Sequence, residues 1–244
     1  MERARVMVRS VDAATRAIER LAPGGFPVPV RTPLIEDECT WFMRAIADGV
    51  VQFSTCPADC FRLKKWGVAG PDHFTTPLGK PRHLFSKPVG PQAWLNREYV
   101  PHIAAYAFAV LDGGYDPARS SFSLYRTFTR DLIARRAGGV YETDAEFYDE
   151  DGSIFLQIEA KASQKQTEAL ARAIERHGAL TELPLAAAKE VEYVLDLAPK
   201  YLWVVGPGSV GPAIHVYEVE MKGSTNATFT ARSGLPKPPG GLPS

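Results

Sequence analysis

The sequence predicts an α/β chain, and three observations carry that expectation. Residues 154–160, IFLQIEA, are an apolar run of strand length behind the turn signal Asp149-Glu150-Asp151-Gly152, with a β-rich, partly alternating run at 140–148 before it. Residues 164–177, QKQTEALARAIERH, space their apolar side chains as an amphipathic helix does. Three more β-rich runs follow at 201–205, 213–221 and 225–231.

Earlier elements read as helices and loop. Residues 10–21 have helical spacing behind Ser10 as a cap, and Pro23-Gly24-Gly25 stops them before a proline-rich link to Pro33. Residues 34–48 form a second helix ended by Asp48-Gly49. Between Cys56 and Pro91 no period is sustained, so loop with one short strand or hairpin is expected. Residues 95–111 suit a buried helix, with Pro101 tolerated near its first turn. Residues 121–136 read as a helix closed by Gly138-Gly139, which places Arg126 and Arg130 four apart on one face. That face suits either a phosphate or a salt-bridged surface. Ser163 caps the helix at 164–177 and Gly178 stops it, while 185–197 is ambiguous between helix and strand. Gly206-Pro207-Gly208 opens a turn, and the tail SGLPKPPGGLPS is expected to be flexible. The organisation expected is a helical, loop-rich region at 1–95, a main domain at 96–232 and a tail at 233–244.

Composition narrows function less than fold. With 28 Lys plus Arg against 28 Asp plus Glu, net charge exerts no global pull toward a polyanion, so any such site is local. No run approaches the roughly eighteen apolar residues of a membrane span, and the first residues lack a secretory core, so a cytoplasmic location is expected. Cys39, Cys56 and Cys60 are an odd number, against a disulfide framework. Cys56 and Cys60, with His73 and His83 downstream, leave open a zinc or iron–sulfur site or plain buried thiols.

The chemistry concentrates in residues 143–163, TDAEFYDEDGSIFLQIEAKAS. Side chains alternate along a strand, so Glu159 and Lys161 share a face, and Asp144 on the neighbouring strand can approach Glu159. Two close carboxylates repel unless a cation sits between them. Mg²⁺ suits such a pair, with the carbonyl of Ala160 as a further ligand and Mn²⁺ as a substitute metal. Lys161 is then placed to stabilise charge on a phosphoryl transition state, so acid, acid and lysine together describe metal-assisted phosphodiester hydrolysis. A Glu-x-Lys tripeptide alone says little, and the chain has a second, Glu220-Met221-Lys222. Only the first has a closely spaced upstream acid and a downstream amphipathic helix.

Asp144, a turn, then Glu159-Ala160-Lys161 closing an apolar strand before a helix resembles the PD-(D/E)XK nuclease superfamily, and Glu142-Thr143-Asp144 is similar to its Glu-x-Asp variant. The resemblance covers about residues 120–217. It implies a restriction-endonuclease-like central mixed sheet flanked by helices, and DNA cleavage serving restriction, defence or repair. It also implies Asp144 and Glu159 as metal ligands and Lys161 as catalytic lysine. Members often carry another glutamate on the helix before the hairpin; residues 121–136 have none, and Glu98 is the substitute, or else an acid at a helix start. Gln164 and Gln166 either approach the site or form a polar first turn. Arg126, Arg130 and Lys165 are the nucleic-acid-binding candidates. The alternative is an inactive binding or assembly module on this fold, with 1–95 as a surface for a protein partner or a second copy. No histidine is assigned a role.

Overall fold

A computed structural model of the chain describes residues 2–22, 33–54, 60–63, 82–85 and 94–240. Its centre is a six-stranded mixed sheet: β3 (Ser120–Thr127), β4 (Val140–Tyr148), β5 (Ile154–Ala160), β6 (Tyr201–Val205), β7 (Val216–Met221) and β8 (Ala227–Arg232). The strands lie side by side in chain order, and only β5 and β6 run parallel. A parallel pair needs a crossover. Here it contains α4 (Gln164–His177), α5 (Leu185–Val191) and α6 (Val194–Leu197).

Alternation along β6 sorts the core into two layers. Trp203 and Val205 pack with Leu156, Ile158 and Ala160 of β5 in one cluster, together with α1 (Glu2–Leu21), α2 (Glu36–Ala47) and α3 (Tyr99–Leu111). Leu202 and Val204 join Leu170 and Ile174 of α4 and the short helices in the other. Trp203 is fully buried and its indole N–H donates to the Ile214 carbonyl at 3.1 Å, so its burial leaves no polar group stranded. Ala14, Ile18 and Phe42 belong to the same cluster as Ile158, so the packing runs continuously across position 95. A two-stranded hairpin of β1 (Val51–Phe53) and β2 (Phe61–Leu63) adjoins it. No described helix is long and apolar enough to cross a membrane.

The expected helix over 121–136 is a correction. Residues 120–127 are β3, paired antiparallel with β4 from Ser120↔Phe147 to Thr127↔Val140, and 128–139 are irregular. Phe122, Tyr125 and Thr127 favour a pleated surface over a helix, and seven backbone pairs outweigh the helical spacing of the arginines. Arg126 and Arg130 therefore share no helix face. The ambiguous 185–197 resolves as α5 and α6, broken at Glu192 and Tyr193. Strand β7 begins at Val216 rather than 213, because Ala213 and His215 take positive φ in the preceding loop. In the tail, Leu235 packs on the core and Pro236 accepts a hydrogen bond from the Tyr115 hydroxyl at 2.7 Å. The link at 23–32, Cys56 and His73 lie outside the described residues.

Candidate active site

Strand β5 ends where α4 starts, and Gly206 ends β6 beside it. A Cβ on Gly206 would sit 1.9 Å from Thr167 Oγ1, so glycine is what lets α4 lie against the strand ends. Helix α4 is held at both ends as expected: the Ser163 side chain accepts from the Gln166 N–H, and Gly178 takes the left-handed cap at φ 69°. Lys161 thus stands in a tight connection, its N–H donating to the Val205 carbonyl at 2.8 Å.

The β4–β5 register pairs Ala145 with Ile158 and Glu146 with Gln157. The ladder stops at that first pair, and Asp144, the next residue, lies close enough to Glu159 for each charge to act on the other. Asp144 Oδ2 accepts the Ala160 N–H at 2.5 Å, so Ala160, expected to offer its carbonyl, is engaged here through its amide. Lys161 Nζ contacts Glu159 Oε1 and also Glu190 Oε2 on α5. Tyr193 donates its hydroxyl to the other oxygen of Glu159 at 2.8 Å. These groups line one cavity of about 700 Å³ together with Glu98 and Glu142.

Five carboxylates, Glu98, Glu142, Asp144, Glu159 and Glu190, therefore face this cavity, and Lys161 is its central cation. Burial raises Asp144 well above the usual carboxylate range, and the charges of Glu159 and Glu98 raise it further; the Ala160 N–H and Lys161 only partly oppose them. Glu98 stands exposed at the mouth, yet partial desolvation and the charges of Glu159, Glu190 and Glu142 outweigh Lys161 and push it up to about 7. Burial alone would lower Lys161, but Glu159 and Glu190 outweigh it, so the side chain stays an ammonium. Burial and Glu159 raise Tyr193, which stays a phenol donor at neutral pH.

His102 of α3 is a further component that sequence reasoning missed. Its ring stacks on Phe122 at 3.7 Å between centroids, with Nδ1 3.7 Å from Asp144 Oδ1. Burial holds it neutral, down to about 3, although the Asp144 backbone opposes the shift. The signal for it was a polar residue inside an apolar helix. Glu190 and Tyr193 were missed as well, because their segment had no clear period.

Other expected residues stand apart from the cavity. Arg126 makes a two-pronged contact with the fully buried Glu146, at 3.0 and 2.5 Å, and Arg130 pairs with Asp196 at 2.9 Å. Gln164, Lys165 and Gln166 are exposed on the first turn of α4, where Gln164 donates to Glu168. Among the described residues four cations line the cavity: Lys161, Arg135, Lys189 and Arg97, the last of which donates to the buried Glu38. The second tripeptide is a surface feature: Glu220 and Lys222 pair with 69% and 46% of their side chains exposed. Cys39 and Cys60 are buried thiols outside any disulfide among the described residues. Burial lifts Cys39 to about 12, and Cys60 Sγ lies 3.4 Å from His83 Nδ1.

Among the described residues no three His, Cys, Asp or Glu side chains form a ready metal cluster. Mg²⁺ does not require one, since it is usually held by one or two carboxylates, with water and substrate filling the shell. Asp144 and Glu159, two neighbouring carboxylates with lone pairs to spare inside an excess of negative charge, fit that demand. No family model, curated protein or solved structure matches the chain.

Proposed function

We propose that the chain is a Mg²⁺-dependent deoxyribonuclease that hydrolyses phosphodiester bonds, in DNA restriction, defence or repair. The observation that carries this reading is Asp144 and Glu159 on paired strands with Lys161 in contact with Glu159. Asp144 and Glu159 would hold the cation, for which Mn²⁺ is a substitute. When bound, such a cation supplies positive charge to the phosphoryl group and makes water acidic enough to attack near neutral pH.

The chain's own residues supply the rest. The Ala160 N–H fixes the direction of Asp144, and the Tyr193 hydroxyl fixes that of Glu159. Lys161, kept as an ammonium, donates to a phosphoryl oxygen as charge builds there. Glu98, which faces the cavity, is placed to take the proton released by the attacking water. Arg135 and Lys189 on the cavity wall meet the flanking phosphates.

The test is incubation with linear and circular DNA in Mg²⁺ and in EDTA, using the native chain, Asp144→Ala, Lys161→Ala and the surface control Lys222→Ala. Cleavage is expected only in Mg²⁺ and only in the native chain and the control. Cleavage that survives both site substitutions would overturn the assignment. Binding without cleavage by the native chain would favour the inactive module.

A further inference from the structure

Lys161 touches two acids at once, and the two sit in different surroundings. Glu159 is on its own strand with 10% of its side chain exposed, and Tyr193 holds its second oxygen. Glu190 is on α5, in a different element from Glu159, with 47% of its side chain exposed. We infer that Glu190 is the positioning residue of this site: it retains the Lys161 ammonium when Glu159 turns its carboxylate to a divalent cation. The inference rests on the function proposed above.

The reasoning is a competition for Glu159. An ammonium in contact with a mostly buried carboxylate is a rival to any cation seeking the same oxygens. Lys161 has three donors to place and only 8% of its surface in water, so it cannot exchange Glu159 for solvent at little cost. Glu190 offers the second acceptor. With it present, Lys161 keeps a charged partner when Glu159 swings away, and stays beside the phosphoryl position. Without it, Lys161 has Glu159 alone and closes onto it. Glu190 is half in water at a helix surface, so the fold depends little on its charge. Residues 190 and 193 lie three apart and share one side of their segment, which lets one stretch of chain grip both Lys161 and Glu159.

A role exercised through Lys161 differs from direct ligation, and a double-mutant cycle on cation binding separates them. Mn²⁺ is titrated calorimetrically into the full chain as the native protein, Glu190→Gln, Glu190→Asp, Lys161→Met and the Lys161→Met/Glu190→Gln pair. Glu190→Gln is expected to weaken Mn²⁺ binding about tenfold beside Lys161 and less than about twofold beside Met, a coupling of the size found between contacting residues. Glu190→Asp is expected to recover most of the loss. Equal losses in both backgrounds, or no loss beside Lys161, would overturn the inference and leave the cation site standing. A native chain that binds no Mn²⁺ would overturn both.

Discussion

Asp144 Oδ2 accepts the amide hydrogen of Ala160 at 2.5 Å, a bond from a side chain of one strand to the backbone of the next. It fixes one oxygen of a carboxylate whose burial and acidic neighbours disfavour its charge. The fold therefore holds Asp144 at a cost that a bound cation would offset. Asp144→Asn keeps an acceptor for the amide and removes the charge. In metal-free buffer at pH 7 it is expected to gain about 1 kcal/mol, or roughly 2–4 °C in melting temperature for a chain of this size. Calorimetric melts check this, and the variant should lose any stabilisation by Mg²⁺.

The same charges set a pH dependence. The carboxyls of Asp144 and Glu98 are raised in the fold, Glu98 to about 7 from an ordinary value of 4.5. The folded state then keeps protons that the unfolded chain has released. Their contribution to stability falls as pH rises between those two values. Melting temperature in EDTA is expected to show this fall, and millimolar Mn²⁺ to reduce it most near pH 7 and above. Melts over a pH series in both buffers test the sign.

Arg126 is a structural cation. Glu146 is fully buried, and Arg126, Ser121 and Tyr148 all donate to it. Arg126→Ala strands that carboxylate. Because Arg126 itself is 30% exposed, the loss is expected at the lower end of about 3–5 kcal/mol. Denaturant unfolding measures it, and DNA affinity at a temperature where the variant is folded should change little.

Gly206 sets the approach of α4. Gly206→Ala meets Thr167 Oγ1 and is expected to cost about 1–3 kcal/mol, as overpacking does. Thr167→Ala in the same chain removes the obstructing oxygen. The double variant should be more stable than the sum of the two single losses, by urea unfolding.

Local signals were legible where the chain is locally consistent. Ser163, Gly178 and the apolar spacing between them specify α4, and the turn at 149–152 specifies the hairpin whose open end brings Asp144 near Glu159. Residues 121–136 misled because their arginines repeat at helical spacing while their aromatic and β-branched residues pair with β4. The acids that engage those arginines, Glu146 and Asp196, lie 20 and 66 residues away, a pairing that local pattern does not encode. Glu190 and Tyr193 were hidden for the same reason: the crossover after β5, not any motif, returns them to the strand end. Glu98 was within reach because only a nearby helix start had to face the hairpin.

The proposed chemistry stands on Asp144 and Glu159 holding a divalent cation together. A crystal structure grown in Mn²⁺, with anomalous diffraction to locate the metal, tests it most directly. The expected result is an anomalous peak within direct coordination distance of oxygens of both Asp144 and Glu159, with Lys161 on Glu190. A Mn²⁺ peak elsewhere, with Lys161 still closed on Glu159, would contradict it.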